Sequence, residues 1–188
     1  MKKSSDRGLW IVIALGLAAA IVAPSPEERF GAALEVQEAV PAAVECQERM
    51  PLFDSKLDAP LQRYVMNVCK YYGLDPALVV ALIEMESGCN PDAVGDDGES
   101  TGLMQVQARW HIARMESLGV TDLLNPYENI EVGVNILAEK LDSGLGEEWA
   151  LMAYNGGNQY ADKLSQDGKV SEYAVKIMER AEELRCGR

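Results

Sequence analysis

From Asp58 onward the apolar positions recur at helical spacing. Leu61, Tyr64, Val65, Val68, Cys69 and Tyr72 fall on one face. Asp58 stands where a helix cap belongs, Pro60 lies in the first turn, and Gly73 stops the run. Asp75 and Pro76 open a second helix through Leu78, Val79, Leu82, Ile83 and Met85 to about Ser87. It is apolar nearly all round, which predicts a central, buried helix. Asn90 to Thr101 is rich in Gly and Asp and reads as a loop with room for a small hairpin. Short helices are expected over Gly102 to Gln107 and Arg109 to Leu118. Asn125 and Pro126 open a longer helix with Ile130, Val134, Leu137 and Leu141 on one face. Three more are expected: Glu147 to Tyr154, ended by Asn155-Gly156-Gly157; Asn158 to Leu164; and Val170 to Leu184. In the last, Tyr173, Val175, Ile177 and Met178 turn inward or nearly so. No strand-like alternation of any length and no internal repeat appears. The predicted class is all-α.

The first 56 residues follow other rules. Lys2, Lys3 and Arg7 precede an uncharged run from Gly8 to Pro26, strongly apolar between Leu9 and Ala23. A basic start followed by an apolar run is the pattern of an export signal. A soluble helix would show a polar face, and this run has none. It is at the short end of the about 17–25 residues needed to span a bilayer. Small residues at Ala18, Ala20 and Ala23 offer cleavage sites, but Pro24 is a poor residue to follow a cut. Residues 1–23 are therefore expected to be a signal peptide or, preferably, an uncleaved anchor with its Lys-rich end in the cytoplasm. Residues 24–56, acidic and broken by Pro24, Pro26, Pro41 and Pro51, are expected to be a linker that lifts the domain off the membrane, or else a packed N-terminal extension of the domain. The remainder, 57–188, is one domain of ordinary size.

Charge and cysteine content narrow the function. A net charge of −13 argues against nucleic acid, which selects clustered Lys and Arg. Cys46, Cys69, Cys89 and Cys186 show no CxxC spacing, and His111 is the only histidine. A zinc site is poorly supported, and so is a Ser-His-Asp or Cys-His nucleophile. An oxidising compartment would allow up to two disulfides among three connectivities. A Cys69–Cys89 bond would be awkward if the first two helices form a straight antiparallel pair. The helical rise would then put the two about 20 Å apart, whereas a disulfide needs Cα atoms within about 7 Å.

The stretch Ala81-Leu82-Ile83-Glu84-Met85-Glu86-Ser87-Gly88-Cys89-Asn90-Pro91 offers chemistry. A carboxyl group at the end of an apolar helix is held half out of water, where its ionised form is disfavoured. A carboxylic acid still protonated near neutral pH is what glycosidic cleavage requires. Glu86 is the candidate. Glu84 lies about 200° around the helix and faces elsewhere, so it is expected to be solvated or ion-paired. Asp96, Asp97 and Glu99 are expected to be a solvated loop, and offer a second carboxylate if one is needed. They lack the ladder of a calcium loop.

Glu86-Ser87, Asn90-Pro91, Gly102-Leu103-Met104-Gln105, Asn125-Pro126, Ala153-Tyr154-Asn155-Gly156-Gly157 and Tyr173, in that order and spacing, closely resemble the transglycosylase SLT domain. This is the catalytic domain of soluble lytic transglycosylases, related to goose-type lysozyme. The resemblance covers roughly Leu57 to Ala181. It implies a lysozyme-like helical fold with a cleft for peptidoglycan. It also implies cleavage of the β-1,4 bond between N-acetylmuramic acid and N-acetylglucosamine, leaving 1,6-anhydromuramoyl ends. Glu86 matches the family's sole acid/base and Ser87 the serine that orients the acetamido group. Met104 and Gln105 match cleft-lining residues, Tyr154 and Asn155 residues near the cleaved bond, and Tyr173 a tyrosine near the glutamate. Cys89 and Gly95 depart from the family pattern, where a bulky apolar residue and a serine are common.

The resulting expectation is an extracytoplasmic lytic transglycosylase, membrane-anchored or secreted. It would act on glycan strands as a monomer, with no cofactor, metal or nucleic-acid partner. A hydrolytic muramidase on the same fold is the first alternative. A non-catalytic peptidoglycan-binding module of a secretion or conjugation apparatus is the second. His111 is expected to pack or to border the cleft.

Overall fold

The computed structural model describes residues 52–187. The expected signal or anchor, most of the acidic linker and Cys46 lie outside the described residues. Within them are seven helices: α1 (Ala59–Tyr72), α2 (Pro76–Ser87), α3 (Ala108–Leu118), α4 (Pro126–Asp142), α5 (Glu147–Gly156), α6 (Asn158–Gln166) and α7 (Glu172–Arg185). Three two-residue strands, β1 (Val94–Gly95), β2 (Ser100–Thr101) and β3 (Val106–Gln107), form an antiparallel sheet in the order β1-β2-β3. The body is mostly helical, as predicted, and the Gly-rich loop does hold the small hairpin. Among the described residues, no helix is long and apolar enough to cross a membrane.

Helix α2 is the hub. Every residue from Ala77 to Ile83 is buried, because α1 and α7 both pack against it. Its start is fixed by Asp75, whose carboxylate accepts the Ala77 N–H at 2.9 Å. Asn125 does the same for α4, accepting from Tyr127 N–H at 3.0 Å, and Ser171 caps α7 through Ala174 N–H at 3.2 Å. Asp58 departs from expectation. Its side chain makes no cap bond, and the first turn of α1 is closed only by its carbonyl, which accepts from Gln62 N–H at 2.9 Å.

Two other expectations are corrected. Gly102 to Gln107 is a tight turn running into β3 rather than a helix. Gly102 (φ 77°) and Gln105 (φ 47°) are left-handed, which breaks any right-handed helix through them. Val175 is 40 % exposed on α7, while Ala174, Ile177, Ala181 and Leu184 supply that helix's buried stripe. Residues just before α1 also belong to the body. Leu57 is buried, and the buried Gln62 amide bonds Phe53 N–H (2.8 Å) and Leu57 C=O (2.8 Å).

Candidate active site

Glu86 sits in the last turn of α2, where the buried helix reaches the surface. The helix ends two residues later at Gly88, which takes a left-handed conformation (φ 61°). The carboxyl group of Glu86 is largely buried, and burial pushes its pKa up. The Tyr173 hydroxyl of α7 donates to Glu86 Oε1 and pulls in the opposite direction, and the negative charge of Asp96 adds a smaller upward push. Burial and the adjacent carboxylate in turn hold the Tyr173 phenol far above its ordinary range, so it stays a donor.

Glu86 lines a groove of about 640 Å³. One wall is the end of α5, with Tyr154, Asn155 and Gly156. The other is the sheet and the start of α3, with Asp96, Gln105, Gln107, Trp110 and His111. Tyr154 donates to the Met104 carbonyl at 2.8 Å, which ties the α5 wall to the turn. Burial, with Glu86 nearby, keeps its phenol protonated. Asn155 is exposed on the groove wall. Gln105 lines the groove but spends its amide on the loop, donating to Ala93 O (3.2 Å) and Gly102 O (2.9 Å). Its Oε1 occupies the space beside Gly95, where a Cβ would approach it to 2.5 Å.

Ser87 and Met104 do not line this groove. The Ser87 hydroxyl donates back to Ile83 O at 3.2 Å. Met104 is fully buried over Gly133, where an added Cβ would meet its sulfur at 2.5 Å, so its carbonyl rather than its side chain bears on the site. Glu84 points away, as its helical position requires. It pairs with Arg180 of α7 at 2.7 Å and borders a separate cavity of about 430 Å³. Glu99 is ion-paired with Arg109. Asp96 lines the groove, but its Oδ2 accepts from Ser100 (2.5 Å) and Gln107 (3.0 Å). His111 borders the groove, as expected; burial and then Arg114 hold its pKa down. Cys69, Cys89 and Cys186 are free thiols. Among the described residues, no three His, Cys, Asp or Glu side chains gather as a metal site.

Asn129 is the residue the sequence reading missed. It is fully buried on α4, accepts Met104 N–H (2.8 Å), and donates to Thr101 O (2.7 Å) and Leu123 O (2.9 Å). It therefore holds the Gly102 to Gln105 turn from beneath. Gly102 has no room for a side chain, because a Cβ would lie 2.3 Å from Asn129 Nδ2 and 2.6 Å from Leu123 O. The available signal was a polar residue one turn inside the Asn125-Pro126 start, beside the apolar face.

A Transglycosylase SLT domain model matches residues 64–175. The chain belongs to the transglycosylase SLT domain family. Among curated relatives, it is 37% identical over 107 residues to a transglycosylase of Enterobacteria phage PRD1, covering 57% of this chain and 37% of that protein. It is 34% identical over 108 residues to membrane-bound lytic murein transglycosylase C of Actinobacillus pleuropneumoniae, covering 50% of this chain and 29% of that protein. The chain thus spans only about a third of the length of these relatives. In fold it is similar to an inactive mutant of lytic transglycosylase Slt from Pseudomonas aeruginosa. That match has a TM-score of 0.51 at 22% identity and covers 67% of this chain and 22% of the other. The SLT domain here holds all the matched blocks, with Glu86, Tyr154, Asn155 and Tyr173 converging at one groove or on its glutamate.

Proposed function

We propose that this SLT domain is a peptidoglycan lytic transglycosylase. It cleaves the β-1,4 bond between N-acetylmuramic acid and N-acetylglucosamine, with Glu86 as the single general acid and base. The observation that carries the reading is a largely buried Glu86 carboxyl, raised in pKa and fixed by Tyr173, on the wall of an open groove.

Most glycosidases divide the work between two carboxylates. Here the substrate supplies the missing groups. Protonated Glu86 gives its proton to the glycosidic oxygen as the C1–O bond breaks. The neighbouring N-acetyl carbonyl oxygen supports the positive charge at C1. Glu86, now ionised, takes the proton of the same sugar's 6-hydroxyl, whose oxygen closes on C1. The product is a 1,6-anhydromuramoyl end, and Glu86 is again protonated. Tyr173 stabilises the ionised half of this cycle and burial the neutral half, which suits a group that must do both. Asn155, exposed on the groove wall, orients the strand by hydrogen bonds, while Gln105 lines the groove and holds the loop that shapes it. Tyr154 holds the Met104 turn against α5. Ser87 acts only indirectly, its hydroxyl tied back to Ile83 O in the last turn of α2 beside Glu86.

The same reading puts the enzyme outside the cytoplasmic membrane, anchored or exported through residues 1–23, with the acidic stretch from 24 as a spacer up to the residues around Phe53 that join the body, and 57–188 as a monomeric catalytic domain. Hydrolysis is the second reading, because Asp96 lies in the same groove. It would need Asp96 to activate a water, while its Oδ2 already serves Ser100 and Gln107. Mass spectrometry of digested peptidoglycan separates the outcomes. Anhydro ends are expected. Reducing ends would select the muramidase, and uncut strands the non-catalytic module.

A further inference from the structure

Trp110 stands in the first turn of α3 and lines the Glu86 groove, yet it is 71 % exposed. A single exposed apolar side chain is ordinary. This one is different because it is held. Its Nε1 donates to Gln107 Oε1 at 3.1 Å, and the Arg109 guanidinium lies 5.0 Å from the ring centroid, over one face. Both restraints are themselves anchored in the sheet. Gln107 donates to Asp96 Oδ2 (3.0 Å) and Ser100 Oγ (3.1 Å), and Arg109 is paired with Glu99 and donates to Gln107 Oε1 at 3.2 Å. The indole therefore has one edge fixed and one face covered, while most of its surface stays open to water.

We propose that Trp110 is a preset platform for an N-acetylhexosamine ring of the glycan strand. Pyranose rings with equatorial hydroxyls present a face of C–H groups. Such a face, like an acetamido methyl, packs on an aromatic plane without disturbing the hydroxyls around its rim. A ring already ordered in the free protein loses little conformational freedom when the sugar arrives. Its restraints run to Gln107 and Arg109 and none to Glu86, which makes it a binding residue whose effect falls on substrate affinity. This inference rests on the glycan-cleaving reading above.

The test uses the full chain and soluble, uncrosslinked glycan strands. Trp110→Ala is expected to raise KM about tenfold with kcat within about twofold, and Trp110→Phe to recover most of the loss. A fall confined to kcat, or an unchanged KM, would overturn the proposal while leaving the glycan-cleaving reading intact. A second measurement does not depend on how Trp110→Ala folds. In the Glu86→Gln background, acrylamide quenching is compared with and without Trp110→Phe, so that the difference reports Trp110 alone. Glycan strands should shield that component; no shielding at strand concentrations that bind would overturn the platform. A wild-type chain that neither cleaves nor binds the strands would overturn both readings.

Discussion

At the scale of single residues, the site is a contest over one proton. Burial and Asp96 favour neutral Glu86, and the Tyr173 hydroxyl favours the ionised form. Opposite predictions follow for two substitutions. A general acid must be protonated, so kcat/KM should fall as pH rises through the Glu86 pKa. Tyr173→Phe removes a donor to the carboxylate and should move that basic limb to higher pH. Asp96→Asn removes a like charge and should move it to lower pH. A pH profile of each variant checks the signs. If neither limb moves, or both move the same way, another group titrates there. The Glu84–Arg180 pair also shows why two glutamates two residues apart have different fates. One is ionised against a cation, and its pKa lies below the ordinary carboxylate value; the other is sheltered from cations and is raised.

At the scale of elements, the groove depends on a turn that has no regular structure of its own. The Gly102 to Gln105 backbone is strapped to α4 by Asn129 and to α5 by Tyr154. Asn129→Ala would leave the Met104 N–H and the Thr101 and Leu123 carbonyls without their side-chain partner. Orphaned buried polar groups cost about 1–3 kcal/mol each, so a loss of about 3 kcal/mol in urea unfolding is expected after partial relaxation. An unchanged midpoint would show that the turn stands without the strap. The helices were legible in the sequence because their apolar stripes and the Asp75 and Asn125 caps are local signals. The turn was not. Gly102-Leu103-Met104-Gln105 is apolar enough to pass as helix, and what breaks it is Asn129, 24 residues beyond Gln105. Of the candidate site, the sheltered setting of the Glu86 carboxyl was legible from its place at a helix end. The burial of Met104 and the inward bond of Ser87 were not, since both depend on which face of a short segment meets its neighbours.

At the scale of the whole molecule, a buried carboxyl of the kind the proposed reaction needs works against the fold. The Glu86 pKa is raised in the folded state, so the folded chain binds more protons than the unfolded one between the two pKa values. Stability must then fall as pH rises through that window, and the deficit persists above it. Glu86→Gln should therefore unfold at a higher temperature than the wild type at pH 7. The gap should shrink as pH drops below the usual carboxylate range, where both chains carry a neutral group. Thermal unfolding across pH reads this directly. A variant no more stable than the wild type at pH 7 would mean that Glu86 ionises there without penalty. The arrangement is compact: the buried α2 carries Glu86, α7 supplies the tyrosine beside it, and α5 with the sheet forms the walls.

The central claim is tested most directly by the rate at which Glu86→Gln releases anhydromuropeptides from purified peptidoglycan. The side chain keeps its shape and loses its acidic proton, so cleavage should drop by about 10²–10⁴-fold or more, with the fold intact. Release at the wild-type rate would contradict the account, because it would mean that the proton comes from elsewhere.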